Sequence, residues 1–408
     1  MGSNRDERRR HPLDGLTVLE LGEALGAYAG KLLADAGARV IKVEPPGGDR
    51  TRLYGPFLGD EPDIERSLYY AFYNTGKESA VLDLTTDADR KALRRLAETA
   101  DIVLDSLGVG TLSSFGFTYD ALRKRNGRLI LVAITPFGQE GPWAHYKSSD
   151  LVALALGGPL FDCGYDDHAI PPIRGSGNQA YHTVSHLAMN AILIALLWRQ
   201  RSGEGQYIDL SMHDACATTV EFSNVYWFYN KVVIDRQTCR HAAPVLTQRS
   251  HFVCADGRYV WGLLRFNDQK TWESLKVWLD EKGLLLDLAD PSYDDPVYRR
   301  QQTGQIRERL ASLAALCTAD DFYHRAQELG NIVGVIRAPE DLPGDPHLKA
   351  RQFFESIESP AWGRAVAFPG SPYRFSAMAC RPERPPMLGE HNDRIPRPES
   401  QATYQEIR

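Results

Sequence analysis

The chain has 408 residues, of which 43% are apolar and 25% charged, and its formal net charge is -6. These values are those of an ordinary globular protein with two or three domains. The acidic balance gives no electrostatic reason to expect a nucleic-acid partner. No apolar run reaches the roughly 18 residues of a membrane span and no secretory signal is recognisable, so we expect no membrane association. Six scattered cysteines without a C-x-x-C pair indicate reduced thiols in the cytoplasm.

Strand and helix patterns alternate in the first part of the chain. LTVLEL (16–21) predicts a strand, 24–36 a helix rich in Ala, Gly and Leu, and ARVIKV (38–43) the next strand. Such strand–helix–strand units form parallel sheets with right-handed crossovers, so we predict a Rossmann-like, doubly wound α/β domain. Later elements of the same pattern are strands at 79–84, 101–104 and 128–135 and a helix at 87–99.

No nucleotide-binding fingerprint accompanies this pattern. The turn after the first strand reads ELGEALGAYAG (20–30), which contains glycines but not G-x-G-x-x-G, and the chain has no P-loop. An enzyme that uses NAD or a nucleoside triphosphate is therefore poorly supported. The loop PFGQEGP (136–142), with Gly138 and Gly141, follows a strand at the place where open α/β sheets bind ligands. A plain tight turn explains these glycines equally well.

The middle of the chain predicts a different architecture. Residues 187–198 are apolar almost all the way round a helix, which predicts a buried helix. After a turn at 201–206 and a strand at 207–212, HFVCADGRYVWGLL (251–264) predicts a β-hairpin. Further predicted elements are helices at 269–279 and 306–316 and a strand at 332–336.

We therefore predict two domains and a returning arm. A large domain begins the chain, a small central α+β domain follows with its linkers, and a proline-rich arm returns to the large domain. The boundaries are 1–225, 226–340 and 341–408.

Seven segments, in the same order along the chain, carry a resemblance to a known family. They are PLDGLTVLELGEALGAYAGKLLADAGARVIKVEPPGGD (12–49), NTGKESAVLDL (74–84), ETADIVLDSLGVGTLSSFGFTYDALRKRNGRLILVAITPFGQEGP (98–142), ALLWRQRSGEGQYIDLSMHDA (195–215), ADGRYVW (255–261), GDPHLKARQFF (344–354) and LGEHN (388–392). Together they resemble the class III CoA-transferases, the family of formyl-CoA transferase, carnitine CoA-transferase and α-methylacyl-CoA racemase. The resemblance covers nearly the whole chain.

This resemblance implies a fold and a reaction. The fold is a large Rossmann-like domain built from both chain ends with a small central domain, in two subunits interlocked like links of a chain. The reaction moves CoA between carboxylic acids, with an acyl-CoA as substrate and no metal. An aspartate attacks the thioester to give a mixed anhydride, CoA thiolate returns to give an aspartyl thioester, and the acceptor acid takes the CoA.

The position of the family's nucleophile is substituted in this chain. Counting back from Arg199, the family's aspartate falls on Tyr181, and the neighbouring candidate is Ala180. No acidic residue lies between Arg174 and Glu204. A phenol, with an ordinary pKa of about 10, cannot easily replace a carboxylate in anhydride chemistry.

Other functional positions of the family are also substituted. The histidine of the racemases reads Ser149, and an asparagine that contacts CoA reads Ser106. An arginine that often follows the second strand reads Pro45, and a basic residue of the next turn reads Ser114. An intact scaffold with replaced chemical positions resembles the non-catalytic subunit of a heteromeric transferase. Succinyl-CoA:benzylsuccinate CoA-transferase pairs two related subunits in this way, with the nucleophile on one of them.

Three positions keep the family's residue. Lys42, Asn74 and Lys77 match, and they can serve the fold as much as CoA. With Gly138 and Gly141 they are the candidate CoA-binding residues. The resemblance implies a homologous partner subunit that supplies the aspartate, or a homodimer, and a small carboxylic acid as acceptor.

Two further functions stay open. His182 follows Tyr181 directly and can act as a general base on a thioester, which would make the chain a stand-alone acyl-CoA hydrolase or lyase that uses His182 or Tyr181. The dipole at a helix N-terminus favours the neutral form of such a histidine. The third possibility is a structural partner that binds no ligand.

Several residues have an ordinary structural explanation beside a functional one. His182 and His186 have zinc-compatible spacing, but no third ligand is apparent and we expect no metal. Asp150 begins a helix pattern, which favours a helix N-cap over a role in the site. The aromatic run at 226–229, and Trp143 after the glycine loop, favour packing, with an aromatic or bulky acyl substrate as the alternative.

Overall fold

The computed structural model describes residues 11–396, which divide into two compact units. Unit 1 contains the chain up to Leu160, Arg174–Glu221 and the chain from Pro346 onward, and unit 2 contains Phe161–Ile173 and Phe222–Asp345. Both chain ends therefore contribute to the larger unit. The short segment 161–173 had been placed in the large domain by its sequence. It belongs to unit 2, where Asp166 is paired with Arg240.

Within the described residues, the main sheet of unit 1 has six parallel strands in the order β3-β2-β1-β4-β5-β6. This sheet belongs to the predicted α/β class. From β1 the strands follow in chain order toward β3 on one side, and from β4 toward β6 on the other, so the direction of strand addition reverses between β1 and β4. Leu19 at the middle of β1 pairs with Ile41 of β2 and Val103 of β4, and all three side chains are buried. The strands are β1 (Thr17–Gly22), β2 (Arg39–Glu44), β3 (Glu78–Val81), β4 (Ile102–Ser106), β5 (Ile130–Thr135) and β6 (Tyr207–Ser211).

Helices cover this sheet, and their local sequences explain where they begin. The hydroxyl of Thr86 accepts a hydrogen bond from the backbone N–H of Asp89, which fixes the start of α3 at the predicted residue. The helices of unit 1 are α1 (Ala24–Asp35), α2 (Leu68–Tyr73), α3 (Asp87–Thr99), α4 (Thr111–Ser114), α5 (Tyr119–Arg123), α6 (Asp150–Leu156), α7 (Gln179–Ser202) and α8 (Met212–Ala217).

Helix α7 is longer and more exposed than its sequence predicted. One face packs into the core through residues such as Val184, Ala188 and Ile192. The opposite face is open in this chain, with Ile194 66% and Trp198 56% exposed, so the expectation of a fully buried helix was wrong. A helix that is apolar all round needs two partners, and this chain supplies one.

The apolar composition of α7 bears on the expectation about membranes. Among the described residues, α7 is long and apolar enough to cross a bilayer, by length and composition alone. Core helices of soluble proteins pass the same test, and a third of that window is buried here.

Unit 2 is a small α+β unit with its own core. The predicted hairpin is present as antiparallel β9 and β10, and β11 adds to it. Trp272 lies at the centre of the core with no exposed surface. The elements of unit 2, together with α9 at its boundary, are β7 (Asp235–Gln237), β8 (Arg240–Ala243), β9 (His251–Val253), β10 (Tyr259–Leu263), β11 (Ile332–Val335), α9 (Glu221–Val225), α10 (Gln269–Glu281), α11 (Pro296–Gln301), α12 (Thr303–Ala314) and α13 (Ala319–Glu328).

The aromatic run at 226–229 is not packed as its sequence favoured. It lies in a single π-helical turn, Tyr226–Asn230, in which the side chains of Trp227, Phe228 and Tyr229 are 50%, 68% and 84% exposed. Single π turns are uncommon and often mark functional positions.

The C-terminal arm completes unit 1. Helix α14 (Pro346–Ala350) leads into a two-stranded sheet, β12 (Phe354–Ile357) and β13 (Val366–Pro369). The arm then runs along the outer edge of β3. There the backbone N–H groups of Ser79 and Val81 donate to the side chains of His391 and Asn392.

Candidate active site

The first turn of α7 is held by a carboxylate from another helix. Ser149 caps α6 by accepting a hydrogen bond from the backbone N–H of Val152. The next residue, Asp150, is 5% exposed, and its Oδ1 accepts from the N–H of Ala180 at 2.8 Å. Its Oδ2 lies 3.3 Å from the guanidinium of Arg174. Asp150 therefore stabilises the start of α7, and the expectation that it caps its own helix was wrong.

Tyr181 lies in this first turn and offers a neutral phenol. The side chain is half-buried and packs against the core of unit 1. Burial raises the pKa of Tyr181, the charge of Asp150 raises it further, and a hydrogen bond from the Asp150 backbone opposes the shift. The hydroxyl therefore stays protonated at neutral pH. The only carboxylate that contacts this turn among the described residues is Asp150, which is already bonded.

Other phenols surround the start of α7. The side-chain amide of Asn178 donates to the hydroxyl of Tyr69 at 2.7 Å and lies 3.3 Å from that of Tyr73. The rings of Tyr69 and Tyr73 are 4.8 Å apart, and that of Tyr54 lies 5.4 Å from Tyr69. Burial raises the pKa of Tyr69 and of Tyr73. This cluster, which we call the tyrosine cluster (Tyr54, Tyr69, Tyr73 and Tyr181), is polar but uncharged.

His182 joins the tyrosine cluster to α1. Its Nε2 lies 2.8 Å from the hydroxyl of Tyr73, and its ring stacks on Tyr28 at 4.3 Å. Burial lowers the pKa of His182, and the nearby His186 lowers it further. The ring is therefore a neutral base at physiological pH. His186 turns its Nδ1 to the carbonyl of His182, and in the part of the chain described here no three His, Cys, Asp or Glu residues gather as for a metal.

The two matching lysines lie inside the fold. The ammonium of Lys42 is fully buried and lies 3.1 Å from Glu20 and 2.6 Å from Asp49, and it donates to the carbonyl of Gly22. Burial lowers the pKa of Lys42, but Glu20 and Asp49 outweigh it, and the net shift is upward. All three ammonium protons have acceptors.

Lys77 shares the same carboxylate. Its ammonium lies 2.6 Å from Glu20 and donates to the carbonyl of Ala27 and to the side chain of Asn74. Burial lowers its pKa to about 8, against the opposing effect of Glu20. The three candidate CoA-binding residues Lys42, Asn74 and Lys77 therefore form one internal network, which we call the lysine network, and they present no ammonium to a ligand.

The lysine network fixes the helices that carry the tyrosine cluster. Asn74 ends α2, and Ala27 lies in α1 one residue before Tyr28. A Cβ atom at Gly30 would lie 1.7 Å from Oε2 of Glu20, so only glycine lets α1 approach the network this closely. The lysines thus act on the candidate site through the positions of α1 and α2.

The carboxyl ends of β1 and β4 meet closely at the point where the strand order reverses. A Cβ atom at Gly22 would lie 2.3 Å from the hydroxyl of Ser106, and one at Gly26 would lie 2.9 Å from it. The hydroxyl of Ser106 lies 3.3 Å from the carbonyl of Leu21, to which it donates. The ligand crevice of a doubly wound sheet lies at this place.

A cavity of about 280 Å³ opens beside this point and has an acidic lining. Pro45 lines the cavity. Thr111, the first residue of α4, also lines it, and Ser114 is the last residue of the same helix. The lining contains four acidic residues and, among the residues the structure describes, no lysine or arginine. Glu44 and Asp49 form ion pairs with Arg52 and Lys42, respectively, and the other two carboxylates have no ion pair within residues 11–396. The lining acids are Glu23, Glu44, Asp49 and Asp83.

The glycines of the loop 136–142 serve its backbone. Gly138 and Gly141 have φ angles of 83° and 107°, which other residues rarely adopt. The N–H of Gln139 between them donates to Asp209 of β6 at 3.0 Å. The turn explanation of this loop is therefore sufficient.

Comparison with known proteins identifies the family. Residues 13–392 match the family described as CoA-transferase family III. The chain belongs to this family. The predicted resemblance is thus confirmed across nearly the whole chain.

Relatives and solved structures agree with this assignment. The chain is 31% identical over 388 residues to the succinyl-CoA:(R)-benzylsuccinate CoA-transferase subunit BbsE of Thauera aromatica, covering 93% of this chain and 92% of the relative. It is 32% identical over 384 residues to acetyl-CoA:oxalate CoA-transferase of Acetobacter aceti, covering 93% of each. A crystal structure of a CAIB/BAIF family protein from Brucella suis matches with a TM-score of 0.81 at 28% identity, covering 94% of this chain and 98% of that one.

Replacing Gly30 by alanine tests the lysine network. In most helices Gly→Ala is stabilising, but here the added methyl group meets Glu20 and Lys77. We expect Gly30→Ala to lower the free energy of unfolding by about 1–3 kcal/mol, as overpacking does. Gly304→Ala in α12, where nothing lies within 4 Å of the added atom, is the control. Calorimetry should show opposite or clearly different effects, and two equal effects would contradict the role of Gly30.

The protonation of His182 gives a second test. Because burial lowers its pKa, we expect the NMR titration midpoint of this ring to lie below the ordinary value of about 6.5. Between those two values the unfolded chain binds more protons, so this group destabilises the fold as the pH falls. His182→Gln assigns the signal and should remove this part of the pH dependence. A midpoint above 6.5 would contradict the neutral ring.

Proposed function

We propose that this chain is a subunit of a CoA-transferase that moves CoA between carboxylic acids and lacks its own nucleophile. One observation carries the proposal. The first turn of α7, where the resemblance puts the nucleophilic aspartate, presents the neutral phenol of Tyr181. The nearby carboxylate of Asp150 is bonded to Ala180 and Arg174 and is directed at the helix backbone.

The electrostatics of the cavity beside β1 and β4 support weak CoA binding by the isolated chain. CoA carries several phosphate charges, and anions are bound by arginine, lysine or free backbone N–H groups. The cavity is lined by four acids and no base among the described residues. A homologous subunit that holds the acyl-CoA would remove this conflict.

The open face of α7 supports an extensive interface between subunits. We propose that the two subunits of the dimer are interlocked and meet at this face. The side chains of Leu193, Ile194, Leu197 and Trp198 form an apolar surface along one helix face. Contiguous apolar surface of this kind usually marks an interface. The relative BbsE is itself named as a subunit. We therefore propose a heteromer with a homologous chain, and a homodimer is the competing assembly.

The substrate that we propose is an aromatic or bulky acid that receives CoA from a donor such as succinyl-CoA. The tyrosine cluster offers ring faces and hydroxyl groups at the start of α7. BbsE is named for succinyl-CoA and (R)-benzylsuccinate. We place the protein in the cytoplasm, consistent with six free cysteines in the described residues.

A second candidate function follows from His182. Its neutral ring is held against Tyr73 and can accept a proton from water, so a stand-alone acyl-CoA hydrolase or lyase remains a defined alternative. In that case Tyr181 or His182 would carry the chemistry in the isolated chain.

Purification from the native host separates these functions. We expect a stoichiometric homologous chain that carries aspartate at the position of Tyr181. In the complex, Tyr181→Phe should change the transfer rate by less than about threefold, whereas replacing the partner's aspartate by alanine should abolish transfer. His182→Gln in the isolated chain should abolish any hydrolysis if the second function is correct. A homo-oligomer with transfer activity that needs Tyr181 would overturn the proposal.

Restoring positive charge to the cavity should restore CoA binding. We expect the isolated chain to bind CoA weakly, and Pro45→Arg with Ser114→Arg to raise the affinity at least about tenfold at low salt, an effect that salt should screen. Pro45→Arg with Ser113→Arg is the matched control, because Ser113 lines a different cavity. Calorimetric titration with CoA measures all three proteins. Tight binding by the unmodified chain would contradict the electrostatic argument.

A further inference from the structure

Asp105, near the end of β4, is a buried carboxyl group without a counter-ion among the described residues. It is 8% exposed, and its Oδ1 accepts a hydrogen bond from the backbone N–H of Leu107 at 3.0 Å. No donor to its Oδ2 is found in residues 11–396. Burial raises the pKa of Asp105 to about 6, and only the bond from Leu107 opposes this shift. An unpaired buried carboxylate is costly, and proteins usually provide a cation or a ligand for it.

This carboxyl group lines a cavity of about 310 Å³, which is the size of a small-molecule site. Successive side chains of a strand point to opposite faces of the sheet. Ser106 points toward Gly22 and Gly26, so Asp105 points to the other face. The site is therefore separate from the crevice at Ser106, and the inference goes beyond the proposed transferase reaction.

Aromatic rings form the walls of this cavity. The rings of Tyr119 and Tyr207 are 5.8 Å apart and tilted by 38°, and Phe117 lies beside them. Gln139, from the loop 136–142, also lines the cavity and adds an amide. Aromatic faces attract cations, most strongly where water is excluded.

The charged side chains that line the cavity are acidic. Asp120 lines it, and Asp209 and Glu140 are close enough to act on Tyr207. Burial raises the pKa of Tyr207 to about 12, and Asp209, Asp105 and Glu140 raise it in that order.

Two arginines lie near the walls of the cavity. Arg94 lies 5.3 Å from the centre of the Phe117 ring. Arg123 acts on Tyr119 and lies 3.5 Å from Glu204. Neither contributes to the pKa of Asp105. The described residues also hold no group of three metal-ligating side chains, so a bound metal ion is not favoured.

We propose that this cavity binds a small organic cation, a primary ammonium compound whose charge contacts Asp105 and whose carbon chain packs against the rings of Tyr119 and Tyr207. The ammonium replaces the missing counter-ion, and the rings cover the methylene groups. A neutral molecule of the same shape lacks the first interaction.

Calorimetric titration of the full chain with n-butylammonium at pH 8 tests the proposal, with n-butanol as the neutral probe of equal size. We expect saturable binding of one butylammonium per chain and no binding of butanol. Equal binding of both compounds would overturn the proposal. The absence of butylammonium binding at about 10 mM, roughly a tenfold excess over the protein, would also overturn it.

Two variants identify the carboxyl group. Asp105→Asn keeps an acceptor for Leu107 and removes the charge, and we expect at least about tenfold weaker binding, the size of a lost charge-assisted bond. Asp120→Asn makes the same charge change at an exposed position of the same cavity, and we expect less than about a threefold loss, because water screens it. Equal losses in the two variants would contradict the assignment.

The pH dependence of the unmodified chain gives a test that needs no variant. The cation requires ionised Asp105, so its affinity should be constant above pH 7 and fall about tenfold per pH unit below about 6. The other ionisable groups around the cavity are Asp120, Asp209, Glu140, Arg123, Glu204, Tyr119 and Tyr207. An affinity that stays constant from pH 8 to pH 5 would overturn the proposal.

Discussion

Unit 1 depends on the sharing of one buried carboxylate, Glu20, between Lys42 and Lys77. A buried charge with no partner would cost several kcal/mol, so each lysine is retained only because the other groups of the network are in place. The network spans β1, β2, α1 and the end of α2, and any residue larger than glycine at position 30 would displace Glu20. It therefore sets the distance between the helices that carry Tyr28 and Tyr73.

The lysine network sets the geometry of the candidate site. The chemistry of the site is limited because its described side chains are either neutral or already bonded. Asp150 is occupied by the first turn of α7, His182 is neutral, and the tyrosine hydroxyls are protonated. Such a site can position a substrate and exclude water. Among the described residues it offers no ionised nucleophile, which is why we propose that a second chain carries out the catalytic step.

Local patterns predicted the elements whose ends are set locally. Helix α3 was predicted at its observed bounds because Thr86 caps it and its apolar residues repeat with a helical period. Strand β3 ended earlier than predicted, at Val81, because its partner β2 ends at Glu44, before Pro45, which has no backbone N–H to extend the ladder. The local pattern of β3 does not contain that pairing.

The site was predictable in part for the same reason. The position of Tyr181 followed from a count along α7, which is a local quantity. The role of Asp150 did not, because its partner Ala180 is 30 residues away. The tyrosine cluster had a local signal that went unused, since Tyr69 and Tyr73 are four residues apart and share a helix face.

The edge of the main sheet has a consequence for how the protein is made. Strand β3 is the outermost strand, and the groups that satisfy its free edge come from His391 and Asn392. During synthesis this edge is therefore open until residue 392 has left the ribosome. An open strand edge is a template for pairing with other chains. Premature termination before these residues would leave a nearly complete sheet with an adhesive edge, so aggregation of truncated chains should be a more serious hazard than their loss of activity.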